Sequence, residues 1–327
     1  MTKGPADPHF FQRLQQNLRY HQSLLRDEVR NRLFAAALER TVRPGSRVLD
    51  IGAGSGVWAI YAAKLGASRV TAIETEPMLL PLIRAHAREN GVLDKLTIVN
   101  GYSTEVSLPH KFDVIVSEMI GNSGFDEAIV SILADARRRF LAKDGVMIPE
   151  TTTLVAAPAA VQDEVKTPRG VSISAEYLRK LAQSTDYKIS QQSDLRLLAP
   201  AADLLTVDLR TVETEPVYSG LGATWRLKEL SKANAILLWA RSILHDDIEL
   251  DTWDTSHWRP AALPFESFST KSGELRFSVN MASSQFSWSV STDGEAPRSY
   301  FPLLTSSKIQ SDMQFNPRRS MMRSVRK

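Results

Sequence analysis

The chain of 327 residues has no cysteine, which excludes disulfides, thiolate catalysis and cysteine-ligated zinc. It has no apolar run near the roughly 18–20 residues that a membrane span requires, and MTKGPADPHFFQR at its N-terminus lacks the apolar core of a secretory signal. A soluble, cytoplasmic protein with no membrane partner is the expectation. Acids are missing from one place in particular. The C-terminal QFNPRRSMMRSVRK carries Arg318, Arg319, Arg323, Arg326 and Lys327 with no Asp or Glu. The formal net charge is +3, so without those five residues the rest of the chain stands at about −2. The body therefore offers no basic face, and no specific nucleic-acid partner is expected. The tail reads as a solvated, frayed terminus; electrostatic contact with an acidic partner is the sharper alternative.

What is present fits about two domains, with 43% hydrophobic and 24% charged residues. Residues 9–40 read as helical, because Leu24, Leu25, Val29, Leu33, Phe34 and Leu38 recur at three-to-four spacing up to Pro44-Gly45. Then RVLDIG, RVTAIE, LTIVNG and FDVIVSE form short Val/Ile-rich runs separated by helix-like segments such as VWAIYAAKLG and LLPLIRAHAREN. Strands alternating with helices predict an α/β, doubly wound, Rossmann-like domain around a parallel sheet, over about 41–150. LADARRRFLAKDGVMIP reads as a further helix, a turn at Asp144-Gly145 and a strand. After Pro149, TTTLVAAPA, NAILLWARSIL, ELRFSVNM and QFSWSVS follow one another as strands. QFSWSVS alternates, with Phe286, Trp288 and Val290 on one face, as a half-buried antiparallel strand does. The expected organisation is a helical segment at 1–40, the α/β domain, a β-rich domain at 151–312 and the tail at 313–327. Within the β-rich part, about 163–205 reads as an insertion, with ISAEYLRKLAQS helical.

VLDIGAGSGVWA places Asp50, Gly52, Gly54 and Gly56 at a strand-to-helix turn. Val57 stands where a dinucleotide fingerprint would have its third glycine, and Asp50 immediately precedes the loop. A carboxylate there repels a pyrophosphate but suits a cofactor with a cationic, amine-bearing end, such as S-adenosylmethionine. Glu74, ending RVTAIE, lies where an acid accepts hydrogen bonds from ribose hydroxyls; a nicotinamide or other nucleotide site is the alternative. SEMIGNSGFDE then sets Glu118 and Glu127 nine positions apart on a glycine-bearing loop at the end of a core strand. Charges in such a place are costly unless they are solvated, paired or waiting for a cation.

These segments together resemble the protein arginine methyltransferases, over about residues 10–300. LLRDEVR resembles the family's helix before the cofactor fold, VLDIGAGSG its cofactor loop, and SEMIGNSGFDE its double-glutamate loop. LAKDGVMIPETTTL is similar to its crossover into a β-barrel domain, and SHWRP to its Thr-His-Trp loop. The resemblance implies an S-adenosylmethionine-dependent N-methyltransferase acting on an arginine guanidino group, in a protein, a peptide or free arginine. It implies a β-barrel-like domain whose helical arm, near 163–205, joins a homodimer. Glu118 and Glu127 become the clamp for a planar guanidinium, which needs its charge neutralised and its nitrogen aimed. No metal is required. His257 would face that loop and pair with Asp27, and Arg30 would bind the donor's carboxylate. Glu105 falls near the expected adenine contact, one place after Thr104.

The pattern also departs from the family. Met119 replaces a Trp after the first glutamate, and Phe11 and Gln15 stand near positions where the family carries tyrosines. Leu24 and Ile129 occupy positions where asymmetric dimethylating members have methionines, leaving mono- or dimethylation undecided. Asn122 and Ser123 make the loop smaller and more polar, so Met119, Asn122 and Trp258 are expected to shape the acceptor pocket. A small-molecule N- or O-methyltransferase, or a non-catalytic donor-binding module, are the competing readings.

Overall fold

The computed structural model describes residues 10–125, 127–162, 174, 186–189, 195–282 and 285–301. The basic tail and nearly all of the 173–184 helix reading lie outside the described residues. The described residues form two compact units. One runs to Thr153 and includes Thr206–Glu215 and Ala240–Trp258; the other draws on Leu154–Leu205, Pro216–Trp239 and the chain from Arg259.

The first unit opens with two helices, α1 (Phe10–Arg26) and α2 (Glu28–Thr41), where the apolar period alone suggested one. Asp27 divides them: it leaves the helical region at φ −78° and ψ 94°, and its side chain accepts from the Arg30 N–H at 3.0 Å. That is an N-cap, and a carboxylate there also complements the positive end of the helix dipole. Phe34, Ala37 and Leu38 bury the inner face of α2.

Five parallel strands follow: β1 (Arg47–Ile51), β2 (Arg69–Glu74), β3 (Leu96–Asn100), β4 (Phe112–Ser117) and β5 (Leu141–Ile148). Their order is β3-β2-β1-β4-β5. Helices α3 (Val57–Lys64), α4 (Leu80–Glu89) and α5 (Ile129–Phe140) lie between them in the chain. The strand order reverses between β1 and β4, and ligands of such sheets bind outside the carboxyl ends at that point. The loops after β1, β2 and β4 therefore carry the site. β5 begins directly after α5, so Asp144-Gly145 is not a separate turn. The residues between Leu141 and Val146 form an irregularity in the β4–β5 register instead. Gly145 makes this possible, because a Cβ there would come within 2.8 Å of Leu141 Cδ1 and 3.1 Å of Phe112 O.

The β-rich part contains β6 (Thr151–Val161), β7 (Tyr187–Lys188), β8 (Leu195–Leu197), β9 (Ala202–Asp208), β10 (Leu221–Leu227), β11 (Ala235–His245), β12 (Ile248–Asp251), β13 (Ala261–Pro264), β14 (Gly273–Ala282), β15 (Gln285–Ser291) and β16 (Arg298–Tyr300). They make one sheet ordered β7-β13-β11-β6-β8, with β12 on β11 and β9 on β6, and a second ordered β10-β14-β15-β16. The pairings in the second sheet are antiparallel, and Phe286, Trp288 and Val290 of β15 are buried as their alternation predicts. β8 and the start of β9 fall within the stretch, about 163–205, that the sequence reads as an insertion. Two sheets of antiparallel strands and a parallel sheet flanked by helices are the α/β-plus-β architecture that the sequence implies.

Candidate active site

Asp50 is the fourth residue of β1 and is fully buried. Its Oδ2 accepts the Ala59 N–H at 3.0 Å, while Oδ1 has no hydrogen-bond partner among the described residues. Burial pushes its carboxyl up to about 7; Glu74 and Glu118 push the same way, against the Ala59 N–H and Arg30. Glu74, at the end of β2, is 7% exposed. Its Oε2 takes the Gly54 N–H at 2.7 Å and its Oε1 the Glu76 N–H at 2.8 Å. The two acids thus anchor the loop between β1 and α3 from both sides.

The loop itself needs glycine. Gly54 has φ +56°, and a Cβ on it would sit 2.6 Å from His21 Cε1; Gly56 has φ +81°, and its Cβ would sit 2.8 Å from Ile83 Cγ2. Gly52, at φ +73°, would meet Met119 Cγ and Sδ at 3.2 Å. Ile73 O accepts the N–H groups of both Gly52 and Ala53 at 3.0 Å, and His86 Nδ1 lies 3.1 Å from Ser55 O. The ring of His21, from α1, therefore rests on the loop. Burial lowers its basicity first, with Arg30 adding to that and Glu74 opposing it. The sequence offered no signal for His21, a lone histidine on an amphipathic helix.

Glu118 follows β4, whose end is tied to β1 by Ser117 Oγ donating to Ile51 O at 2.9 Å. The Glu118 side chain is 9% exposed and that of Arg30 is 3% exposed. Arg30 Nε donates to Glu118 Oε2 at 3.0 Å, Arg30 Nη2 donates to the same oxygen, and Nη1 donates to Asn31 Oδ1 at 2.8 Å. Burial raises the Glu118 carboxyl above its usual range, and the Arg30 guanidinium opposes that rise. Three rings surround the Arg30 Cζ: Trp58 at 5.4 Å, Phe34 at 5.8 Å and Trp258 at 5.9 Å.

Asp27 is buried and does more than cap α2. Its Oδ2 accepts the N–H groups of Ser256 at 3.0 Å and His257 at 2.8 Å. The expected link between Asp27 and His257 thus includes the backbone of the 256–258 loop, while His257 Nδ1 lies 3.0 Å from Ser23 Oγ of α1. Trp258 is buried beside Arg30. Beyond Glu118, Ser123 is buried, Asn122 is half-buried and Glu127 is exposed ahead of α5. Gly124, at φ +83°, would place a Cβ 2.6 Å from Thr152 Oγ1, which itself donates to Gly124 O at 3.2 Å. Glu105 is exposed in the turn after β3, where its N–H donates to Tyr102 O at 3.0 Å.

Three buried carboxylates, those of Asp50, Glu74 and Glu118, thus stand with one buried guanidinium at the carboxyl ends of β1, β2 and β4. The unmatched Oδ1 of Asp50, the raised carboxyls of Asp50 and Glu118 and the side-chain-free glycine faces suit a ligand that is cationic, carries N–H or O–H donors, and approaches backbone closely. S-adenosylmethionine fits that donor set: an ammonium for the acids, ribose hydroxyls for Glu74 and a carboxylate for Arg30, which has two of its five N–H donors left.

A family model described as ribosomal protein L11 methyltransferase matches residues 32–151. Among curated proteins, an arginine N(omega)-methyltransferase of Streptomyces achromogenes subsp. streptozoticus is 29% identical over 261 residues, 76% of this chain and 71% of the relative. The ribosomal protein arginine N-methyltransferase rmt3 of Schizosaccharomyces pombe is 33% identical over 47% of this chain. The protein arginine N-methyltransferase PRMT10 of Oryza sativa subsp. japonica is 39% identical over 42%. The matches span 28% and 37% of those two relatives' lengths. Two solved structures share the fold. The PRMT1 enzyme–prozyme heterotetramer of Trypanosoma brucei with AdoHcy aligns at TM-score 0.73 and 20% identity, over 86% of this chain and 97% of that one. The Arabidopsis thaliana protein arginine methyltransferase 10 aligns at TM-score 0.69 and 20% identity, over 87% and 98%. Fold, loop and acid motifs and relatives point the same way: the chain is an S-adenosylmethionine-dependent methyltransferase similar to the protein arginine methyltransferases.

Proposed function

We propose that this enzyme methylates a guanidino nitrogen of arginine, with free arginine as the first acceptor to test. The observation that carries the reading is the excess of buried negative charge at one end of the parallel sheet. Asp50, Glu74 and Glu118 outnumber Arg30, and burying carboxylates is costly unless cations arrive to meet them. Bound S-adenosylmethionine supplies an electrophilic methyl group on a sulfonium. The chain's own residues bind and orient. Asp50, the glycine loop, Glu74 and His21 hold the donor's ammonium and ribose side, and Arg30 holds its carboxylate. Glu118 and Glu127 grip two edges of the acceptor guanidinium, neutralise it and turn one nitrogen towards the methyl. Asp27 fixes the 256–258 loop, and the His257 imidazole takes the proton that the methylated guanidinium releases. Met119, Asn122 and Trp258 border the acceptor.

Free arginine is put first because the streptomycete relative, named as an arginine N(omega)-methyltransferase, aligns over most of both chains. The small Asn122 and Ser123 also suit a compact acceptor. Mass spectrometry of products from free arginine and from arginine-containing peptides, with labelled donor, tests this and counts the methyl groups. Transfer to phenols or simple amines with none to arginine would overturn it, and donor binding without turnover of any acceptor would favour a binding module.

We also propose a cytoplasmic homodimer. The support is the sequence resemblance, whose dimerising arm near 163–205 lies largely outside the described residues. Among the described residues no helix is long and apolar enough to cross a membrane. A monomeric mass by light scattering at micromolar concentration would refute the dimer.

A further inference from the structure

Trp58 has a feature that packing alone does not explain. It lies on the first turn of α3, is 5% exposed, and stacks on Phe34 with ring centroids 5.1 Å apart at 21°. Its indole Nε1 is buried with no hydrogen-bond partner among the described residues. A buried donor left unmatched is destabilising. A phenylalanine at the same place would stack on Phe34 without that penalty. What indole offers in exchange is the strongest π face among the side chains, and the Arg30 Cζ lies 5.4 Å from its centroid, nearer than to Phe34 or Trp258.

Arg30 is where such a face matters. Its guanidinium is almost wholly shielded from water, with Nε and Nη2 on a single oxygen of Glu118 and Nη1 on Asn31. Beyond those bonds the guanidinium is packed among three rings, of which Trp58 is the nearest. An arginine that must meet a carboxylate with two parallel N–H groups depends on the tilt of its guanidinium plane, because bidentate pairing is planar. Trp58 also follows Gly56 by two residues, so α3 connects the glycine loop rigidly to the arginine.

We infer that Trp58 is a positioning residue for the donor: its ring face fixes the plane of the Arg30 guanidinium, so that one edge stays on Glu118 while the other presents paired N–H groups to the carboxylate of S-adenosylmethionine. This rests on the methyl-donor reading of the site. Trp58 touches neither donor nor acceptor and acts through Arg30. Because Glu118 shares that guanidinium, Trp58 couples the donor half of the site to the acceptor half.

The test is calorimetric titration of S-adenosylmethionine into the full chain, together with melting temperatures. Trp58→Leu, which removes the π face, should weaken donor binding about tenfold; Trp58→Phe, which keeps a weaker face, should stay within about threefold of the wild type. Tetrafluorotryptophan placed at position 58 alone keeps the shape but empties the π face. It should weaken the donor several-fold with an unchanged melting temperature, which a purely packing role would not do. That arm decides the matter if Trp58→Leu fails to fold. Unchanged affinity with the fluorinated ring overturns the proposal and leaves the methyltransferase reading intact. Absence of S-adenosylmethionine binding by the wild type overturns both.

Discussion

Asp50→Asn is expected to make the donor-free protein more stable while making it a worse enzyme. Asp50 is fully buried, and burial raises its carboxyl from an ordinary 3.8 to about 7. Between those two pH values the folded chain holds a proton that the unfolded chain has lost. Stability therefore falls as pH rises through that window and is flat above it. Each pH unit is worth about 1.4 kcal/mol, so the ceiling is about 4 kcal/mol. Asparagine keeps an oxygen for the Ala59 N–H and has no proton to lose. The advantage of Asp50→Asn should be absent near pH 4, grow to about pH 7 and then stay constant. For a unit of this size that corresponds to a gain in melting temperature of about 5–15 °C. The assay is thermal unfolding of both proteins at closely spaced pH values from 4 to 8.5. Donor affinity, measured at pH 8, should fall in the variant because the cationic donor loses its buried counter-charge, a trade of function for stability that such sites make. Equal melting temperatures at all pH values, or a variant less stable at pH 8, would refute the account of Asp50 as an unmatched buried charge.

If Glu118 clamps the acceptor as proposed, Glu118→Gln should lower turnover at least about a hundredfold while donor affinity stays within a few-fold, because Gln keeps an oxygen for Arg30; steady-state kinetics beside calorimetry would show the split. Gly124→Ala forces a Cβ to within 2.6 Å of Thr152 Oγ1 at φ +83°. It should cost about 1–3 kcal/mol of stability by thermal unfolding and cut turnover more than donor binding, since it displaces the loop between the two glutamates. The His21 imidazole, desolvated on the glycine loop, should titrate below its ordinary range by NMR and move when donor binds.

Much of the fold was legible in the chain because its signals are local. β1, β2 and β4 are short apolar runs, as strands covered on both faces are. β15 alternates because only one of its faces is buried. Asp27 was harder to read: the apolar period runs on past it, and only the turn of the backbone reveals it as a cap that splits the helix. Asp144-Gly145 reads as a turn by composition, yet pairing with β4 absorbs it as an irregularity of the strand. His21 carries no sequence signature, since its place on the glycine loop depends on how α1 packs.

The types and order of the charged groups were set by the sequence. An acid before the glycine loop, another ending the next strand and a glutamate after the fourth strand are each a consequence of strand-to-loop position. Tertiary structure decided how those charges share one another. It brought Arg30, 88 positions from Glu118, onto that carboxylate, closed three rings around the arginine, and left Asp50 with an oxygen that nothing in the described protein matches. Spacing along a chain fixes which strand end a side chain occupies. Its partners depend on which strand ends the sheet order brings together, and that order is settled only when the whole parallel sheet has formed.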